Sequence, residues 1–167
     1  MTQQLNKRIL VAYASHSGST IDVAARIGET LTARGFSVDI KPIMEKPQVE
    51  SYGAVVIGSA IRYGQWLPVA TEFVKTNQVA LQRVPVALFS VHLMNRGNDE
   101  QSRVNRLAYL NTVRSLIKPV DEVFFSGKGD PKRLSLFDRW ISRAAGAPVG
   151  DLRDWNKIRG WAQAVFA

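Results

Sequence analysis

The sequence predicts a three-layer α/β sandwich, with a five-stranded parallel sheet in the order 2-1-3-4-5 and helices on both faces. Three observations support this. Five short runs rich in valine, isoleucine and leucine are too uniformly apolar for a sheet with one wet face. Segments of helical periodicity separate most of them, which implies a parallel sheet with right-handed crossovers. The first run also ends in a loop of little but hydroxyls and glycine, at the carboxyl edge where open α/β sheets bind ligands.

The elements follow in order. Residues 8–14 (RILVAYA) read as a strand buried on both faces. From Thr20, the positions Ile21, Ala24, Ile27 and Leu31 recur at helical spacing, and Gly35 stops that helix. Residues 36–40 (FSVDI) alternate as a second strand, and 42–52, with two prolines, read as a loop. The third strand is 54–58 (AVVIG), followed by the loop 59–66. A helix over 68–79 tolerates Pro68 in its first turn, and 84–91 (VPVALFSV) form the fourth strand. A helix over 100–117 is expected to turn Val104, Leu107, Leu110, Val113 and Leu116 inward. Residues 122–126 are the fifth strand and 155–166 a closing helix. Only 127–150 break the alternation, and they read as an insertion.

Composition narrows the chemistry. A chain of 167 residues, 46% hydrophobic and 22% charged, fits one folded domain spanning 1–167. It has no cysteine, and His16 and His92 are its only histidines, so no metal site is expected. Redox chemistry would then need an organic cofactor. The apolar run near the N-terminus is too short for a secretory signal, and 84–94, the longest apolar stretch, falls far short of the ~20 residues of a spanning helix. A cytoplasmic protein is expected. The net charge of +8 attracts anionic lipid or acidic small molecules, whereas no nucleic-acid signature accompanies it.

Ser15-His16-Ser17-Gly18-Ser19-Thr20 admits two readings. One is a helix cap, with Ser17 or Ser19 capping and the other hydroxyls solvated. The other is an anion site: helix-start amides and the dipole favour negative charge, Gly18 lets the backbone wrap closely, and Ser15, Ser17 and Thr20 donate. Neither a Walker lysine nor a G-x-G-x-x-G is present, which suits a monophosphate.

The pattern Ser/Thr-x-Ser/Thr-Gly-x-Thr directly after an apolar strand resembles the phosphate loop of flavodoxins, and every position matches. VVIGSAIRYGQW at 55–66, SVHLMN at 90–95, FDRW at 137–140 and GDLRDWNKI at 150–158 resemble one branch of that flavodoxin-like family, the menaquinone-dependent protoporphyrinogen IX dehydrogenases. The insertion at 127–150 also coincides with one that marks this branch, although Ser17 stands where its members often carry an acidic residue.

The resemblance implies FMN as cofactor. Its phosphate would lie on Ser15, His16, Ser17, Gly18, Ser19 and Thr20, and its ring between Ser59, Ala60, Ile61, Arg62, Tyr63 and Gly64 on one side and Ser90, Val91, His92, Leu93 and Asn95 on the other. Tyr63 or Trp66 could stack on the ring, Trp66 equally covering the core edge. Arg62 would raise the flavin's reduction potential unless it is a solvated loop charge. His92 is expected beside the ring without an orienting partner.

In the insertion, Leu134, Phe137, Trp140 and Ile141 form an apolar stripe flanked by Lys132, Arg133, Arg139 and Arg143, suited either to an anionic membrane surface or to packing on the domain. The activity implied is oxidation of protoporphyrinogen IX, an anionic tetrapyrrole, with a quinone as acceptor, in heme biosynthesis. The flavin rather than any side chain would do the chemistry. The alternatives are a flavodoxin-type electron-transfer protein and a NAD(P)H-dependent quinone reductase.

Overall fold

A computed structural model describes residues 7–129 and 150–167. The strands are β1 (Arg8–Ala14), β2 (Ser37–Pro42), β3 (Ala54–Arg62), β4 (Gln65–Trp66), β5 (Val86–His92) and β6 (Asp121–Ser126). The main sheet runs β2-β1-β3-β5-β6, every pair parallel, with the short β4 antiparallel against β3. Setting β4 aside, this is the expected order 2-1-3-4-5.

Strand residues alternate between two cores, as a period of two requires. Leu10, Val55, Ile57 and Leu88 pack on one face with Phe73, Leu81, Leu110 and Val113. Ile9, Val11, Val56 and Phe89 pack on the other with Val23, Ile27, Leu31 and Ile158. The first face is covered by α2 (Pro68–Thr76), α3 (Gln78–Leu81) and α5 (Asn111–Leu116), and the second by α1 (Ser19–Ala33) and α6 (Trp155–Ala164). Each fully buried aliphatic or aromatic side chain contributes about 1.5–3 kcal/mol. Gly58 is required by this packing: a Cβ there would lie 1.9 Å from the Phe89 ring.

Three expectations are corrected. The third strand does not end at residue 58. It continues to Arg62 and doubles back through Tyr63 and Gly64, at φ 54° and 74°, so that Ile61 pairs with Trp66. Two consecutive positive-φ residues are what a tight two-residue hairpin demands. Second, 100–117 is not one helix. It splits into α4 (Glu100–Ala108) and α5, because Tyr109 and Leu110 turn inward and re-aim the chain. Leu110 and Val113 are buried as expected, but Val104 and Leu107 stay about half exposed. Third, the helix over 68–79 breaks at Asn77, whose amide donates to the Phe73 carbonyl at 2.9 Å.

The two ends of the insertion pair with each other, as β7 (Lys128–Gly129) against β8 (Gly150–Asp151). The stripe Leu134, Phe137, Trp140 and Ile141 lies outside the described residues. Among the described residues no helix is long and apolar enough to cross a membrane.

Candidate functional site

The parallel registers bring three loops to one level. Ala14 of β1 lies opposite Ser59 of β3, which lies opposite Ser90 of β5. The chain beyond these positions forms the hydroxyl loop, the β3–β4 hairpin and the segment 93–99, in a row along the carboxyl edge.

The hydroxyl loop is shaped from within. The Gly18 amide donates to Ser15 Oγ at 2.9 Å, and Gly18 itself sits at φ 96°, ψ −15°, a left-handed conformation that glycine adopts at no steric cost. α1 then starts with no side-chain cap. The first-turn amides therefore keep their donor capacity directed outward. Ser19 is buried, and so is Thr20, whose Oγ1 has no hydrogen-bond partner. A buried hydroxyl left unpaired costs about 1–3 kcal/mol. Outward amides, the positive end of a helix dipole and an orphaned buried hydroxyl together fit an oxygen-rich anion such as a phosphate monoester.

The hairpin presents fewer of its residues than sequence reasoning expected. Ser59 is fully buried, and its hydroxyl accepts from the Leu67 amide at 3.0 Å and donates to the Ala60 carbonyl at 2.8 Å. Trp66 covers the core edge: it is buried, and its Nε1 donates to Ser90 Oγ at 2.8 Å. Ser90 thus holds the hairpin onto β5, while Ser59 ties the chain after the hairpin back to β3. Ala60, Ile61 and Arg62 are partly buried along the strand, and Tyr63 is exposed at the tip. The Arg62 guanidinium lies 5.0 Å from the Tyr63 ring centroid. His16 is exposed, and Ser17 and Gly18 are partly buried.

Beyond β5, Val91 belongs to the core and Leu93 is partly buried. His92 does have an orienting partner, supplied by the backbone. Its Nδ1 is 2.7 Å from the Met94 carbonyl, which can only accept, so Nδ1 carries the proton. The ring lies among Tyr109 and Phe124, and burial lowers its pKa to about 4, so it is neutral at pH 7. Asn95, at φ 58°, donates to Tyr109 Oη at 2.7 Å and accepts from Asn105 at 2.9 Å. Its side chain therefore anchors the loop to α4.

Sequence reasoning missed Arg106, which donates to the Asn95 and Gly97 carbonyls at 2.5 and 2.6 Å and so clamps the loop. Arg96, Arg106 and Lys157 all bear electrostatically on His92. Lys157, which donates to the Phe124 carbonyl at 2.7 Å, has its own pKa lowered by burial and then by Arg106. No sequence signal marks this cationic group, since its members come from separate segments.

Residues 10–145 match the family model described as a flavodoxin domain. The chain is 26% identical over 170 residues to the protoporphyrinogen IX dehydrogenase (quinone) of Escherichia coli strain K12, covering 95% of this chain and 94% of that one. It is 27% identical to the Leishmania major protein of the same name, covering 96% of this chain and 75% of that one. Among solved structures, a flavodoxin from the domain Archaea superposes with a TM-score of 0.55 at 18% identity, over 83% of this chain and 93% of that one.

His92 has a consequence for stability. Its folded pKa of about 4 lies below the ordinary 6.5, so the unfolded chain binds more protons between those values. Stability should fall as pH drops from about 6.5 to 4, by roughly 3 kcal/mol in full from this group. Urea unfolding of wild type and His92→Phe across that range should show the extra slope in wild type alone. Parallel pH profiles would contradict the assignment.

Proposed function

The chain belongs to the flavodoxin domain family and FMN is its cofactor; from that premise we propose that it oxidises protoporphyrinogen IX to protoporphyrin IX and passes the electrons to a quinone, a step of heme biosynthesis. Supporting this is the likeness to the two dehydrogenases over nearly the whole of this chain. When bound, FMN supplies the two-electron chemistry that no side chain here offers.

In this reading the residues divide the labour. Thr20, the Gly18 turn and the first-turn amides of α1 hold the phosphate, and Ser15 shapes the loop. The hairpin tip and residues 93–95 flank the ring, the first braced by Trp66 and Ser90 and the second by Arg106 and Asn95. Arg62 puts positive charge on the hairpin, which favours electron acceptance over the low potential of a shuttle. Arg96, Arg106 and Lys157 give the far wall a positive field suited to the substrate's carboxylates. The basic apolar stripe of the insertion, through Phe137 and Trp140, would meet an anionic membrane surface where a lipid-soluble quinone resides.

Two outcomes are expected. Thr20→Val removes an orphaned hydroxyl, so the flavin-free protein should gain about 1 kcal/mol in urea unfolding while FMN affinity, read by fluorescence quenching, falls about tenfold. Loss of stability together with unchanged affinity would contradict the phosphate role. Under anaerobic conditions, protoporphyrinogen IX should bleach the FMN-loaded protein and a menaquinone analogue should restore its colour. Bleaching by NADPH instead, with no response to the porphyrinogen, would favour the reductase alternative.

A further inference from the structure

Among the described residues, Arg153 stands out as a cation with a nearly buried side chain shared between two carboxylates. Its side chain is 8% exposed. It donates from Nε and Nη2 to the two oxygens of Asp151, at 2.8 and 2.7 Å, and from Nη1 to Asp22 Oδ2 at 2.9 Å. Its guanidinium also lies 4.6 Å from the Trp155 ring centroid. The bidentate contact holds the Asp151 carboxyl down at about 2.

The two carboxylates belong to different parts of the molecule. Asp22 lies in the first turn of α1, directly after the hydroxyl loop. Asp151 lies in β8, at the base of the insertion. A second contact joins the same two regions. A Cβ on Gly127 would meet Val91 at 2.9 Å and Ser19 Oγ at 3.4 Å, so the entry to the insertion packs against the first residue of α1. The Gly127 carbonyl accepts from the Leu152 amide at 3.1 Å, beside Arg153.

An acidic residue in the first turn normally suits a helix dipole, but beside a site for a dianionic phosphate it opposes the ligand. We propose that Arg153 is a positioning residue that sets the affinity of the phosphate loop by offsetting the charge of Asp22, and that Asp151 ties this contact to the base of the insertion. The proposal rests on the FMN reading. It goes beyond that reading by making flavin affinity depend on a contact from the insertion side of the fold. An insertion base that moved Asp151 and Arg153 away would leave Asp22 facing the phosphate with its charge uncompensated.

The test titrates the full-length, flavin-free protein with FMN and with riboflavin, which lacks the phosphate, at low and high salt. Arg153→Gln should weaken FMN about tenfold at low salt and less at high salt, with riboflavin binding unchanged. Arg153→Gln combined with Asp22→Asn should bring FMN affinity back to within about twofold of wild type. Asp22→Asn alone should bind FMN at least as tightly as wild type, which keeps the test decisive if Arg153→Gln fails to fold. Equal losses for FMN and riboflavin, no rescue by Asp22→Asn, or weaker FMN binding by Asp22→Asn alone would each overturn the proposal in favour of mere packing on Trp155. A wild-type protein that binds riboflavin and FMN equally would instead overturn the phosphate site itself.

Discussion

The registry of β1, β3 and β5 is the constraint on which the rest of the carboxyl edge depends. These strands are buried on both faces, so a slip of one residue would exchange every side chain between the two cores. Register is therefore fixed by packing, and packing fixes the level at which the three loops leave the sheet. Gly58 tightens the arrangement, since its missing Cβ lets the Phe89 ring lie across the strand. Loops hung on so rigid a frame need few contacts of their own to hold position. They use backbone-directed ones: Ser15 to Gly18, Arg106 to Asn95 and Gly97, and His92 to Met94.

The buried hydroxyls at this edge divide into two kinds. Ser59 and Ser90 are satisfied within the protein: Ser59 accepts from the Leu67 amide, and Ser90 accepts from Trp66 and so joins the hairpin to β5. Thr20 is buried to the same degree and unsatisfied. Among the described residues, the buried side-chain hydroxyl left orphaned is that of Thr20, at an uncapped helix start. An anion placed there, as we propose, would gain binding free energy by fulfilling donors that folding left without partners. In the same first turn, Asp22 accepts from Arg153.

Much of this was legible in the sequence. The strands are long β-branched runs, and their order followed from alternation with helices and from right-handed crossovers. The hydroxyl loop was visible because its composition exceeds what a cap needs. The errors came where tertiary contacts override local pattern. Val104 and Leu107 keep helical spacing with Leu110, yet Tyr109, bonded to Asn95, turns the chain and leaves the first two outside. The resemblance placed Ser59 and Ser90 beside the flavin ring, and their side chains turn to Leu67, Ala60 and Trp66 because the strands run further than their apolar cores suggest. Arg106 and Lys157 carried no local signal, since the groups they touch come from other segments, and the Arg153 contact with Asp22 spans 131 residues.

We propose that a phosphate monoester is held at the start of α1 by donors the protein leaves unmet. Phosphorus NMR of the FMN-loaded protein addresses it directly. A free phosphate monoester takes up its second proton near pH 6. Held by the Thr20 hydroxyl and the first-turn amides, the dianion should keep a single resonance position from about pH 5.5 to 8. A bound-state resonance that titrates near pH 6, as in free FMN, would mean that the phosphate stands in water and that the cradle holds nothing.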